Sequence, residues 1–256
     1  MCSLCFFTGD RARPLDQFTS RPACQKSFVD AKEAQKSRVV RVKKLLSDDE
    51  IQELLECSAS LRNSCGVNKR DKHGFVQMDG PWDTTYLHTD DQFGQAMPHL
   101  KKKILDAVQA ADKAEWGLLE GKEHVTVRVI EHHKVSKGGG LLQKDHIDYG
   151  SLLTLDVMLS DPGDFEGGVF HTVEADGTVQ PHEFAKGDMM LFQSHKYHAV
   201  SEVKAGLRQV LIMELWQGEE RRCAHRCEQH WGDCPCTLLS SRLSFIGSAS
   251  IDQDIY

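Results

Sequence analysis

The chain has 256 residues, room for one large domain or two small ones. Its make-up, 40% hydrophobic and 27% charged, suits a folded globular protein and excludes a disordered or collagen-like chain. Acidic residues outnumber basic ones 38 to 31, giving a net charge of −7, and no basic run interleaves with aromatics, so neither general nucleic-acid binding nor a bilayer-spanning apolar stretch is expected.

Residues 1–37 are polar and irregular and predict no regular element. They lack the apolar core of a secretory signal, and nine cysteines, an odd number, suit a reducing compartment, so a cytoplasmic location is expected. Arg38–Leu46 reads as a strand leading into a helix. Ser47 and Glu50 form a capping box at its start, and Ile51, Leu54, Leu55 and Leu61 give it an apolar stripe. Arg62–Phe93 reads as a long connection punctuated by Gly, Asn, Asp and Pro. A second helix is expected from Pro98 to about Gly117, with Leu100, Ile104, Leu105 and Val108 on one face. Residues 38–120 are therefore read as a strand and helix support region.

After Gly121 the texture changes to short strands, read at Val125–Glu131, Leu152–Leu159, Val169–Val173, Met189–Phe192, His198–Val203 and Leu207–Trp216. Turn signals separate them: Gly138-Gly139-Gly140, Asp161-Pro162-Gly163, Asp176-Gly177, Lys186-Gly187-Asp188 and Lys204-Ala205-Gly206. Strands at this spacing predict a mainly β sandwich, jelly roll or barrel over 121–218, with the helices packed on one outer face. Residues 219–256 form a Cys/His-rich segment and a loose tail.

His146 and Asp148 stand one residue apart at the start of a strand, where alternate side chains share a face. His198, at the start of another strand, supplies a third donor. Two histidines and one carboxylate on a facial arrangement leave three open positions, which suits non-haem Fe(II) with a cosubstrate and dioxygen. Arg208 follows across the Lys204-Ala205-Gly206 turn, on what reads as the paired strand of a hairpin with His198. Its permanently charged guanidinium could grip one carboxylate of a five-carbon diacid whose keto acid end meets the iron.

His146-Ile147-Asp148, the run Asp164-Phe165-Glu166-Gly167-Gly168-Val169-Phe170, Gly187-Asp188-Met189-Met190-Leu191-Phe192, His198-Ala199-Val200 and Gly206-Leu207-Arg208 occur in that order. The stretch from Val125 to Trp216 thereby resembles the catalytic domain of the prolyl 4-hydroxylase-like 2-oxoglutarate/Fe(II) dioxygenases. The resemblance implies a double-stranded β-helix preceded by two or three packing helices. It implies His146, Asp148 and His198 as iron ligands and Arg208 on the far carboxylate of 2-oxoglutarate. It implies hydroxylation of a C–H bond, with dioxygen consumed, 2-oxoglutarate converted to succinate and ascorbate as reductant. A peptidyl proline is the favoured substrate, with small molecules also open. Related halogenases lack the carboxylate, so Asp148 points to hydroxylation.

The sequence departs from that pattern where a tyrosine usually meets the cosubstrate, offering Glu131-His132-His133 instead. His132 or His133 could donate there, and Thr154, on the same side as Asp148, is a further cosubstrate-site candidate. His195 competes with His198 for the third ligand position, and the motif order favours His198. Cys223, Cys227, Cys234 and Cys236, with His230 nearby, could hold a structural zinc; disulfides and free thiols are the other readings. The rival to an enzyme is a non-catalytic jelly-roll binding or sensing module that retains the metal site. Oligomeric state is open.

Overall fold

The computed structural model describes residues 31–65 and 80–234. Helix α1 (Ala31–Lys36) and strand β1 (Val40–Val42) precede α2 (Asp48–Cys65). The capping box forms as read: Glu50 N–H donates to Ser47 Oγ at 3.2 Å, and Ser47 N–H donates to Glu50 Oε2 at 2.8 Å. Strand β2 (Trp82–Tyr86), α3 (Gln92–Ala96) and α4 (Pro98–Glu115) complete the support region, with Pro98 in the first turn of α4, where its missing N–H costs nothing.

Nine strands follow: β3 (Val125–Ser136), β4 (Leu141–His146), β5 (Leu153–Met158), β6 (Phe165–Gly167), β7 (Phe170–Val173), β8 (Val179–His182), β9 (Met189–Gln193), β10 (His198–Val200) and β11 (Val203–Gln217). They pair antiparallel into two sheets. The larger runs β1-β9-β5-β11-β3-β2, with β6 added beside the start of β11; the smaller runs β4-β10-β7-β8. This is the expected jelly roll, mainly β with helical support.

Alternation along the central strands decides which side meets which environment. Leu211, Met213 and Leu215 of β11 and Leu153, Leu155 and Val157 of β5 point outward into one core with Ile51 and Leu54 of α2 and Leu100, Ile104 and Val108 of α4. Each such side chain, fully buried, stabilises the helix-on-sheet layer by about 1.5–3 kcal/mol. The opposite faces of the same strands carry Thr154, Asp156, Arg208, Val210 and Ile212, which line a cavity between the two sheets.

Four local readings are corrected. Residues 31–36, read as irregular, form α1, because Gln35 is tied into the loop before β10: its Nε2 donates to His195 O at 2.9 Å, and its Oε1 accepts from Tyr197 N–H at 3.0 Å. The 62–93 connection contains β2, and β4, β6 and β8 were not foreseen as strands. Lys204-Ala205-Gly206 is no turn but part of β11, at a bulge where β6 pairs. Gly206 takes φ +76° there, and a Cβ at that position would collide with the Asp164 carbonyl oxygen. Consequently β10 pairs with β4 and β7, not with β11, and the expected His198–Arg208 hairpin does not exist. The tail beyond 234, with Cys236, and residues 1–30 lie outside the described residues. No helix among the described residues is long and apolar enough to cross a membrane.

Candidate active site

The two sheets bring the sequence-predicted donors together from separate strands. His146 ends β4, Asp148 follows it, and His198 opens β10 directly opposite His146 in the register. Their donor atoms all lie within 4.8 Å of one another. His146 Nε2 is 3.3 Å from Asp148 Oδ1, and His198 Nε2 is 3.6 Å from Asp148 Oδ2. Ligands at adjacent corners around a first-row divalent ion sit about 3 Å apart, so three donors at these spacings close on one ion with little movement. Burial keeps the His198 imidazole below its usual pKa and so neutral. Its Nδ1 lies 3.0 Å from Lys196 O; donating there leaves the Nε2 lone pair for a metal.

Both oxygens of Asp148 are held by neighbours. Thr154 Oγ1 donates to Oδ2 at 2.8 Å, while Arg226 Nη1 donates to Oδ1 at 3.0 Å. Burial would raise the Asp148 carboxyl, but its contacts with His198, His146 and Arg226 outweigh that and hold it well below the usual carboxylate range. Thr154, expected beside the cosubstrate, thus orients the carboxylate as well as lining the cavity. His195, the competitor for the third position, is stacked on Tyr149 with ring centroids 6.0 Å apart, outside the donor cluster.

Arg208 enters the same cavity from β11, although without the hairpin that was expected to bring it there. Its side chain is 2% exposed, and its Nε and Nη2 have no hydrogen-bond acceptor. A buried guanidinium with unused N–H groups is costly unless a ligand completes it. Gly168, at φ +60°, gives it space: a Cβ there would lie 2.8 Å from Arg208 Cδ. Asp156 lines the cavity wall as well, and burial, only partly offset by Arg208, pushes its carboxyl up to about 7.

His132, one of the two candidate cosubstrate donors, points the wrong way, its Nδ1 lying 2.7 Å from Ser58 Oγ on α2. Alternation along β3 turns His133 inward instead, next to Trp82 and Tyr86 of β2. Tyr86 therefore supplies a phenol at the cavity, from a segment read as a connection. The lining closes with Leu141, Val200, Val210 and Ile212 around about 220 Å³. That is below the roughly 300–1,000 Å³ of drug-sized sites and fits a small acid.

Arg226 was not foreseen at all. It forks onto Glu131, with Nη2 to Oε2 at 2.8 Å and Nε to Oε1 at 3.3 Å, and also meets Glu214 Oε1 at 2.8 Å. Burial raises the Glu214 carboxyl, whereas Glu131, equally buried, is held well below the usual range by Arg226 and His133. Arg128 adds a second cation, 3.3 Å from Glu214 Oε2. Arg226 is thus shared among Glu131, Asp148 and Glu214, one cation serving three carboxyl groups at the cavity's edge.

No model of a known protein family matches the sequence, and no curated protein matches it. Solved structures do match. A prolyl hydroxylase from Trichoplax adhaerens, in complex with a hypoxia inducible factor oxygen degradation domain peptide fragment, aligns at TM-score 0.55 and 16% identity over 80% of this chain and 94% of that one. The non-heme alpha ketoglutarate dependent epimerase SnoN from nogalamycin biosynthesis aligns at TM-score 0.50 and 16% identity over 73% and 81%. The likeness is one of fold: the chain shares the jelly-roll architecture of these two proteins.

Proposed function

We propose that the chain is an Fe(II)- and 2-oxoglutarate-dependent dioxygenase that hydroxylates an unactivated C–H bond, with a peptidyl proline as substrate. The observation that carries this reading is the meeting, in one small cavity, of the His146, Asp148 and His198 donors with the acceptor-free N–H groups of Arg208. Two histidines and a carboxylate suit Fe(II) with positions left open, and Arg208 suits a carboxylate at the far end of a short diacid. The prolyl hydroxylase neighbour, whose structure holds a peptide fragment, favours a peptidyl proline over a small molecule.

Iron bound by these three groups supplies the redox chemistry that couples dioxygen to decarboxylation of the keto acid. The chain's own residues do the positioning. Arg208 anchors and orients the cosubstrate, with Tyr86 and His133 on the same wall as further donors. Thr154 and Arg226 fix the two oxygens of Asp148, so that its orientation does not depend on the metal. Leu141, Val200, Val210 and Ile212 exclude water.

The test uses the purified full chain with ferrous iron, 2-oxoglutarate and ascorbate. Succinate forms slowly without substrate and faster with a proline-containing peptide, which gains the mass of one oxygen atom. His146→Ala and Asp148→Ala abolish succinate formation. Normal turnover in those variants would overturn the reading; 2-oxoglutarate binding without any succinate would instead favour a non-catalytic sensing module.

A further inference from the structure

Beyond the end of β11 the chain makes a tight excursion whose cysteines the catalytic reading leaves unused. Cys223, His225, Cys227 and Cys234 bring one donor atom each within 4.8 Å of the others. The three sulfurs are buried, and none is in a disulfide. We propose that these four residues form a structural zinc site that seats Arg226 against the carboxylates of the active-site cavity.

The donor set is the first argument. Three buried thiols and one partly buried imidazole, four donors in all, match a tetrahedral structural zinc site with no open position. Cys234 Sγ lies 3.3 Å from His225 Nε2. Zinc bonded to sulfur and nitrogen at ordinary lengths sets that edge at about 3.6 Å. Gln229 N–H donates to Cys227 Sγ at 3.4 Å, the kind of outer contact that orients a metal-bound sulfur. A single disulfide would use two of the three sulfurs and leave one stranded. The sequence reading had placed Cys236 and His230 near this cluster. Cys236 is outside the described residues, and His230 is stacked on Trp216 at 4.7 Å instead. The missing ligand is His225, and the Cys-x-His-x-Cys spacing was the signal for it.

The second argument is what the site holds. Arg226 lies between two of the ligands, and its guanidinium points away from them into the cavity, 2.8 Å from Glu131, 3.0 Å from Asp148 and 2.8 Å from Glu214. Residues 219–234 contain no helix or strand of their own. Further ties run from the segment to the barrel: Arg128 Nε donates to Cys227 O at 2.8 Å, and the Asp90 amide donates to Arg222 O at 2.9 Å. A metal crosslink across Cys223 to Cys234 fixes the backbone on both sides of Arg226, so its fork is preorganised rather than recruited from a free loop.

The test counts metals in the full-length protein, purified with zinc present and dialysed against a mild chelator that strips the open His-Asp-His site. One zinc per chain persists, an organomercurial that caps thiolates releases it, and Cys234→Ser retains none. Cobalt substituted for it shows the intense sulfur-to-cobalt absorption of a tetrahedral thiolate site. Wild-type protein without retained zinc, or retention unchanged in Cys234→Ser, overturns the site. The link to Arg226 is read from a double-mutant cycle on thermal unfolding. Arg226→Met lowers Tm by about 6–20 °C in zinc-loaded protein, and by less than half as much once Cys234→Ser has removed the zinc. Mercurial-treated protein serves as the zinc-free corner if the serine variant fails to fold. Equal losses in both backgrounds overturn the link. None of these measurements uses turnover, so they stand or fall separately from the dioxygenase reading.

Discussion

Asp156 sits on the cavity wall, 5% exposed, among Arg208, Arg226, Asp148 and Glu214. Burial dominates, and its carboxyl is pushed up from 3.8 to about 7. A carboxyl with a raised folded-state pKa favours folding while it is protonated. Its contribution is fully present below pH 4 and is lost as pH rises through 7. The whole loss is about 4 kcal/mol, and about 2 kcal/mol of it falls between pH 5.5 and 8.5. Asp156→Asn keeps the shape and removes the titration. Urea unfolding of wild type and variant at the two pH values reads the difference directly. The variant gains about 2 kcal/mol on wild type as pH rises from 5.5 to 8.5. Above pH 7 wild-type Asp156 also becomes an anion that competes for Arg208, so 2-oxoglutarate binding weakens with pH in wild type and less in the variant. Parallel stability curves for the two proteins would refute the account of a carboxyl held neutral by burial.

Three further outcomes follow from the same geometry. Arg208→Ala weakens 2-oxoglutarate binding by about 2–5 kcal/mol, the cost of losing a buried charged partner, read as a raised KM for 2-oxoglutarate with bound iron unchanged. Gly168→Ala puts a methyl group 2.8 Å from Arg208 Cδ, so titration calorimetry shows weaker 2-oxoglutarate binding although no contacting residue has been altered. Ser47→Ala removes the hydroxyl that accepts from Glu50 N–H and costs about 1 kcal/mol in denaturant unfolding, with no change in turnover.

The parts of the site that could be read from the sequence are those whose meaning is local. His146 and Asp148 stand two residues apart, although at the end of β4 and just beyond it rather than at the start of a strand as expected; the capping box spans four residues, and α4 declares itself by its apolar spacing. Arg208 was placed in the cavity for a reason that proved wrong, because a glycine at positive φ occurs inside a strand beside a bulge as readily as in a turn, and Gly206 lies in β11 just after the irregularity between Val203 and Ala205. Choosing between His132 and His133 needed the phase of β3 relative to the sheets, which two adjacent histidines do not carry. Tyr86 was hidden because Trp82–Tyr86 is short and lacks a clear apolar alternation. Arg226 was hidden more completely: Glu131 is 95 residues away, and only the return of the chain over β3 unites them.

The barrel strands end at Gln217, yet the cavity they enclose does not stand complete at that point. A version of this polypeptide cut just after Gly218 would keep every proposed iron ligand and Arg208, and would still hold Glu131 and Glu214 with their principal counterion gone. An acidic floor of that kind repels a dicarboxylic guest and invites protons or stray cations in its place. What looks like an appendage is thus the stopper that makes the vessel usable, and trimming it for convenience would produce a faithful shell around a poisoned interior.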